Sequence, residues 1–538
     1  MRWRVAAMAV AGGLALAAAT PPAWWPGAEF AVVLGLCAWY AQASARATPW
    51  WAGYLLGCVH MACFSWSVRH VLWPAYVAIV LVGGGYYLLG SVVQRRLAVA
   101  GPASFRRGLA LPILTFAAVV AATAWLRAEL PEICYPHGQV CHALWQWPWL
   151  LAPLRFGGEA LGNALLGALA AALVEGWRSW RTAERPLRQA GAALAVVLVL
   201  WGGLAVAAPP RPPASERLLR VGIVEPGLHP FDDYAAADRA AFERQVRRLW
   251  RERFLAPTGE LLARPDAPEL LLWPESSLYG LIAADELVGR SRRFDFGLPL
   301  GERRLLLGAS LERGDRDAAG PARRLPSTPI GVLVGDAGQV EGWHEKQRLV
   351  PGGEFLPFVA WLPTAVRDWV HDAFAAALGS APDCVPGRWR APLRLPSGVP
   401  IGVLTCYDNA FPTPGQRQVS AGAQVLCVLS NEAWYRGGAE LDQLVAMTVC
   451  RALELRIPLV RSTMDGWSVV VGADGRLLAA APRRPAPQPG PQTLVADVPL
   501  PAQVDAGPVW ARQMAGPLAV AWAVLVLLLG RRRRRPAG

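Results

Sequence analysis

Hydrophobic positions along the chain fall into two regimes. Seven apolar stretches precede residue 209, near 5–20, 27–45, 50–67, 71–93, 108–126, 150–174 and 189–208, and an eighth runs over 514–530. A helix needs about 20 apolar residues to cross a hydrocarbon core, with ~17 as the short limit, so each stretch is predicted as a spanning helix. The first stretch also has the look of a signal peptide, because Arg2 and Arg4 precede an Ala-rich run. Six further spans behind it favour an uncleaved helix. Between 209 and 512 short apolar runs alternate with helical periodicity. Strands are expected at LRVGIV (219–224), ELLLW (269–273), RLLLGA (304–309), IGVLV (330–334), GVPIGVL (398–404) and the QVLCVL run that continues to Leu429. Helices are expected over 235–255, with Phe242, Val246, Leu249, Trp250 and Phe254 on one face, and over 439–455, with Leu441, Leu444, Val445, Thr448 and Leu455 near one stripe. Strands alternating with helices predict an α/β domain. The Pro-rich segments 208–217 and 481–492 read as linkers or loops, and no internal repeat is present. The expected map is therefore a seven-helix membrane domain (1–208), a globular domain (209–512), and an eighth helix with a basic tail (513–538).

Composition and charge sharpen this map. Of 538 residues 54% are apolar and 17% charged, and mean hydropathy is +0.27. That excludes a disordered chain and argues against an ordinary soluble enzyme. The net charge of +13 would suggest nucleic acid if it covered a folded surface. Residues 209–512 instead hold 34 basic and 34 acidic residues, and the rest of the chain holds 19 Arg against 6 Glu. The excess thus belongs to the hydrophobic parts and reads as membrane topology, with no nucleic-acid partner. With the N-terminus inside, the inner side collects 16 arginines: Arg2, Arg4, Arg46, Arg95, Arg96, Arg106, Arg107, Arg178, Arg181, Arg185, Arg188 and Arg531 to Arg535. Outer loops hold Arg69, Arg127 and Arg155. Both termini are then expected in the cytoplasm and 209–512 outside it.

Nine cysteines are too few for a disulfide scaffold. Cys37, Cys58 and Cys63 fall in spans. Cys134 and Cys141 share the outer-loop segment EICYPHGQVC, where oxidation is permitted and a disulfide is an open alternative. His137 and His142 lie beside them, but the spacing matches no strong zinc pattern. No metal or organic cofactor is expected; Walker, dinucleotide and zinc signatures are all missing from the sequence.

Three segments of the globular region carry candidate chemistry. LLLWPES places Glu275 after an apolar strand, HEKQRLVPGGEFLPF contains Lys346 and Glu354, and IGVLTCYDNAFP places Cys406 at the end of another strand. Polar groups at strand ends in an α/β domain can converge on one site. A Cys thiolate attacks carbonyls, a carboxylate can take and return its proton, and an ammonium can stabilise the oxyanion. Singly, Glu275 could cap a helix, Cys406 could be a small core residue and Lys346 could be solvated. Their order on three strand ends argues for a shared task. The chain also holds 52 arginines and one lysine, Lys346. A GC-rich genome explains the bias, and the surviving lysine falls within a candidate motif.

These motifs resemble the nitrilase superfamily, whose sites use Glu, Lys and Cys in that order on an αββα sandwich. The match is closer to its membrane branch, the apolipoprotein N-acyltransferases. It is carried by WPE, by K…LVP…GE…P, by CY…FP, by LSNEAWY (429–435) and by RALELRIPLVRST (451–463), and it includes the eight-span layout. The resemblance implies Glu275 as general base, Lys346 as oxyanion-stabilising cation, Cys406 as nucleophile and Glu354 as support for the lysine. Tyr407 and Trp434 match residues that shape the acyl site and its entrance. Departures occur at Gly352 (usually aromatic), Asp408 (usually Glu), Glu432 (usually Asp), Leu444 (where His is common) and Ala124 (usually Glu).

The implied activity is phospholipid-dependent N-acyl transfer, through a Cys thioester, to the N-terminal amine of a diacylglyceryl-cysteine lipoprotein. It would occur on the periplasmic side of a bacterial inner membrane. A membrane-anchored nitrilase-type amidase using water as acceptor, with an envelope or conjugation role, is the alternative. A non-catalytic transporter or scaffold would need charges within the spans, for which Glu159 is the acidic candidate.

Overall fold

The computed structural model describes residues 2–100, 108–182, 187–208, 214–229, 233, 238–314, 326–378, 382–483 and 490–531. Arg106, Arg107, Arg185, Arg532 to Arg535 and the centres of both expected linkers lie outside these. Every apolar stretch forms a helix: α1 (Arg2–Ala19), α2 (Ala31–Ser44), α3 (Trp51–Phe64), α4 (Trp73–Ala100), α5 (Ala110–Glu129), α6 (Leu154–Thr182) and α7 (Leu187–Ala207) precede the globular region, and Val509–Arg531 follows it. Six of the eight, among the described residues, are long and apolar enough to cross a membrane. The other two, α2 and α3, have 14 residues each, or about 21 Å at 1.5 Å per residue. At the end of α2 the Ser44 hydroxyl bonds back to the Tyr40 carbonyl at 2.6 Å, a local alternative to further helix. The bundle is tight: a Cβ at Gly35 would lie 2.5 Å from Leu16, the small-residue approach that lets apolar helices pack.

The spans carry more buried charge than the sequence indicates. Besides Glu159, helix α6 buries Glu175, which accepts the Tyr40 hydroxyl at 2.9 Å and Arg178 at 2.8 Å. It escaped the sequence reading because α6 continues to Thr182, beyond the apolar run that ends near 174. The arginines expected outside are also engaged. Arg127 is buried and donates to backbone carbonyls of His137 and Gly138, Arg155 pairs with Asp505, and Arg69 lies over the Trp66 ring at 4.0 Å.

In the globular region the helices are α8 (Arg239–Trp250), α9 (Ala256–Leu262), α10 (Thr364–Leu378), α11 (Pro412–Ser420) and α12 (Glu440–Leu455), and the apolar helix Val509–Arg531 is α13. Strands β1 (Ala214–Glu225), β2 (Leu270–Leu272), β3 (Leu281–Ile282), β4 (Arg304–Glu312), β5 (Ser327–Val334), β6 (Val340–Glu345) and β13 (Gln492–Pro501) form one sheet, ordered β13-β1-β2-β4-β5-β6 with β3 beside β4. Strands β7 (Leu393–Arg394), β8 (Pro400–Thr405), β9 (Val425–Ser430), β10 (Leu459–Thr463), β11 (Val469–Val471) and β12 (Leu477–Ala480) form the second, ordered β12-β11-β10-β9-β8-β7. All six expected strands are present, and the centres β1-β2-β4 and β8-β9-β10 are parallel.

Alternation along these strands builds three apolar layers. Val221, Ile223, Leu270, Leu272 and Leu306 of the first sheet meet Ile401, Val403, Val425, Cys427 and Val460 of the second. Leu271, Trp273, Leu305 and Leu307 turn outward onto Leu249, Phe254 and Leu261 of the α8–α9 layer. On the far side Leu404, Leu426 and Val428 pack under Val445 and Val449 of α12, in a core continuous with Leu165 and Trp201 of the membrane helices. The result is an αββα sandwich whose second helical layer is shared with the bundle. For this reason α12 is buried along its whole length rather than on the single stripe a surface helix needs.

Candidate active site

Parallel order brings the candidate residues to one end of the sandwich. Glu275 follows β2, Lys346 follows β6, Cys406 follows β8, and Asn431 follows β9. Strand β6 is antiparallel to β5, which is antiparallel to β4, so β6 ends on the same side as β2. Thr405 pairs with Leu429, which sets Cys406 beside Ser430.

Lys346 is fully buried. Its Nζ donates to Glu275 Oε1 at 3.1 Å and to Glu354 Oε1 at 2.6 Å. The second oxygens are also used: Glu275 Oε2 accepts the Asn431 N–H at 3.0 Å, and Glu354 Oε2 accepts the Val350 N–H at 2.8 Å. Glu275 comes this close to the sheet because β4 has Gly308 beneath it, where a Cβ would lie 2.4 Å from Glu275 Cα. Cys406 is half-buried, and it adopts φ 47°, a left-handed conformation that side chains other than glycine disfavour. It opens the short turn Cys406–Ala410, which the Asp408 carboxylate caps.

Electrostatics follow from this crowding. Burial works against the charged form of Lys346, yet Glu275, Glu354 and the Cys406 sulfur raise its pKa well above the ordinary lysine value. Burial also raises Glu354 above the usual carboxylate range, despite the lysine beside it. Burial pushes the Cys406 thiol up to about 12, with Glu275 adding to the rise and Lys346 opposing it. At neutral pH the resting sulfur is therefore protonated. A thiolate beside these carboxylates would add negative charge that is unfavourable in a dry site. A proton leaving the sulfur has an acceptor available in a carboxylate, so the cluster can keep its net charge while creating a thiolate.

Several residues that hold this geometry escape sequence reasoning. Asp408 Oδ1 accepts the N–H groups of Gln347 at 3.0 Å and Arg348 at 2.8 Å, and its Oδ2 accepts the Thr405 N–H at 3.2 Å. Its shorter side chain thus ties the cysteine turn to the lysine loop. Glu345, fully buried, receives Arg390 at 2.7 Å, the Arg388 N–H at 2.9 Å and Arg313, and fixes the backbone just before Lys346. These partners, above all the Arg388 N–H, hold its carboxyl down at about 2 against the effect of burial. Glu432 forms a fully buried ion pair with Arg461 of β10. Gly352 takes φ 78° with open space around it, so the loop turns there and leaves room that an aromatic would fill. Leu444 packs with Tyr407, Phe411, Met447 and Cys134. The visible signals were modest: an Asp two residues after the cysteine and a carboxylate before the lysine.

Tyr407 is buried, its hydroxyl donating to the Cys134 carbonyl at 3.0 Å. Trp434 sits half-buried on the turn Ala433–Tyr435 that follows β9. Both Cys134 and Cys141 carry free thiols, Cys134 packed against Tyr407 and Cys141 in the core shared with Cys450. One group among the described residues has donor atoms close enough for a metal: His142, Glu159 and Cys450, within 4.8 Å of one another. Arg451 already occupies Glu159 Oε1 at 2.7 Å, His142 contacts the same oxygen at 2.9 Å, and Gln139 takes the other at 2.8 Å. Both oxygens of that carboxylate are engaged, and the group reads as an ionic lock between α12 and α6.

Comparison with known proteins covers both halves of the chain. The carbon-nitrogen hydrolase family model matches residues 330–502, and the model of the apolipoprotein N-acyltransferase N-terminal domain matches residues 11–173. The chain is 28% identical over 492 residues to an apolipoprotein N-acyltransferase of Gloeobacter violaceus, covering 87% of this chain and 84% of that one. It is 25% identical over 510 residues to one of Caulobacter vibrioides, covering 89% and 86%. Among solved structures, an amidase from Nesterenkonia sp. aligns over 56% of this chain and 96% of its own, with TM-score 0.34 and 19% identity.

Proposed function

The chain belongs to the apolipoprotein N-acyltransferase family of the nitrilase superfamily, and on that premise we propose that it transfers an acyl chain from a phospholipid to a lipoprotein through a thioester on Cys406. The observation that carries this reading is the Lys346 ammonium held between Glu275 and Glu354 next to a half-buried cysteine, on a domain whose helical layer merges with membrane helices.

In the first half-reaction Cys406 Sγ attacks an ester carbonyl of the donor, phosphatidylethanolamine by family resemblance, and its proton passes to Glu275. The oxyanion forms next to Lys346, whose charge is fixed by the two carboxylates. Collapse expels the lysophospholipid alkoxide, which takes the proton from Glu275, and the acyl group remains on sulfur. In the second, the α-amine of a diacylglyceryl-modified N-terminal cysteine attacks the thioester. Glu275 takes the amine proton and returns it to the departing thiolate. Glu354 supports Lys346 throughout, and Tyr407 and Trp434 shape the acyl site and its entrance. No step calls for a metal or organic cofactor.

The architecture suits a donor that never leaves the bilayer. In this reading residues 1–208 form the membrane domain, 209–512 the catalytic domain on the periplasmic side of the inner membrane, and 513–538 the last span and cytoplasmic tail. The segment after Glu354 exposes Phe358, Trp361, Val366 and Trp369, side chains suited to a membrane interface. The test is mass spectrometry of purified protein incubated with phospholipid. A mass increment of one acyl chain on the Cys406 peptide is expected, lost in Cys406→Ala and discharged by a diacylglyceryl-cysteine peptide but not by water. An acyl-enzyme that still forms in Cys406→Ala, or that only water discharges, would overturn the reading.

A further inference from the structure

The loop between α5 and α6 holds a side chain that this chemistry does not use. His137 is 1% exposed, and neither ring nitrogen has a hydrogen-bond partner. Buried polar atoms are rarely left this way, so the ring must serve through its faces. It lies between two tyrosines, 4.8 Å from Tyr135 at 22° and 6.1 Å from Tyr407 at 25°. Tyr135 stacks in turn on Phe64, 6.2 Å away at 21°. Four nearly parallel rings thus run from the last residue of α3 to the residue that follows Cys406, at spacings where ring pairs attract.

Both ends of the stack are anchored. Arg127 of α5 clamps the loop through the carbonyls of His137 and Gly138, the second at 3.1 Å. Gly138 takes φ 63°, and a Cβ there would lie 2.4 Å from the Phe64 ring, so the loop can approach α3 only with glycine. At the other end the Tyr407 hydroxyl bonds to Cys134, and its ring meets the edge of Phe411 at 5.2 Å and 78°. Cys406 itself sits at φ 47°. A residue in that conformation is strained and persists only where its surroundings over-determine it.

We propose that His137 is a positioning residue: a flat ring that holds Tyr407 against the membrane part and so fixes the Cys406 turn for attack. The inference rests on the reading of Cys406 as nucleophile. The imidazole acts as neither acid nor base, and a ring without nitrogens can replace it. Full-length protein in phospholipid nanodiscs supplies the test, with single-turnover acylation of Cys406, kcat and KM measured alongside the melting temperature. His137→Phe is expected to acylate within about twofold of the parent, because it keeps the stack. His137→Ala is expected to lose about tenfold or more in kcat with KM for phospholipid little changed, as small misplacements of a reacting group do. His137→Leu, apolar but not flat, fills the space and is expected to lose kcat without losing melting temperature; it carries the comparison if the alanine variant fails to fold. If His137→Phe falls as far as His137→Leu, the nitrogens are used and the proposal is wrong. If His137→Leu retains the parent rate, the ring positions nothing. Persistence of acylation in Cys406→Ala would instead sink the reading of the nucleophile, so the two failures are distinguishable.

Discussion

Asp408 accepts the backbone N–H of Gln347 at 3.0 Å, a hydrogen bond that joins the turn after the nucleophile to the residue after the lysine. The same oxygen takes the Arg348 N–H, and the other takes Thr405. An acceptor-only group is needed on both sides. Asp408→Asn would keep a carbonyl for one side and point an NH2 at a donor on the other. The expected outcome is folded protein with kcat lowered roughly 10- to 100-fold, read by thioester formation in a single turnover. Asp408→Glu is also expected to lose activity, because the site is fully buried and an added methylene must displace one of the two loops. A glutamate variant as active as the parent would show that the loops are not held by this carboxylate.

Lys346→Arg separates charge from shape. The ammonium occupies a fully buried space between carboxylate oxygens 3.1 and 2.6 Å away. A guanidinium is planar and broader, and its donors form a fixed fork. It would retain the charge and crowd the oxyanion. Acyl transfer should fall by about 100-fold or more, the usual scale for losing an oxyanion donor, while thermal unfolding monitored by Trp fluorescence shows a folded protein. Normal turnover by this variant would return the lone lysine to chance survival.

Much of this was legible in the sequence because it is local. Apolar runs of limited length followed by Glu275 and Cys406 mark strand ends, and the long apolar stretches mark helices. The roles of Asp408 and Glu345 were not legible, since each depends on which backbone N–H groups another loop brings within 3 Å or so of it. Periodicity also failed for α12, whose predicted stripe became burial on all sides: the second partner, the membrane bundle, is distant in sequence. The ring stack is invisible for the same reason, as Phe64, His137 and Tyr407 come from three separate segments. Where alternation was short or weak, as in β3, β7 and β10 to β12, pairing with neighbours rather than propensity makes the strand.

Glu440, the first residue of α12, gives a pH dependence of stability. Burial raises its carboxyl from the ordinary 4.5 to about 7, against weaker support from Ser67, its own N–H, Val68 and Arg69. A carboxyl raised in the folded state contributes most stability below its unfolded pKa and loses it as pH rises through the folded one. The contribution should therefore decline between about pH 4.5 and 7. Glu440→Gln removes the ionisation and keeps the shape. Its melting temperature should match the parent at acidic pH and exceed it at pH 8 or so. Tyr135 and Tyr435, which also feel this charge, stay neutral over that window because burial raises them further. Parallel melting curves for the two proteins across the whole range would refute the assignment.

Arg451 is the remaining test of how the catalytic domain is fastened to the bundle. The guanidinium is fully buried, 2.7 Å from Glu159 of α6 and 2.5 Å from Glu454 of its own helix, and the Glu159 N–H donates to Glu454 at 3.0 Å. Two carboxylates thus share one cation across the junction. Burial raises Glu454 to about 7, with Arg451 opposing and Glu159 adding. Arg451→Met would remove the cation the two buried carboxylates share, leaving Glu454 only the charge of Arg512 and Glu159 its contact with His142, and breaking a buried pair in this way typically costs about 3–5 kcal/mol. A clear fall in melting temperature is expected. Adding Glu159→Gln and Glu454→Gln to the same chain should restore much of the loss, because a buried ion cluster owes more to avoided desolvation than to net attraction. If the triple variant melts no higher than Arg451→Met alone, the lock works through packing rather than charge.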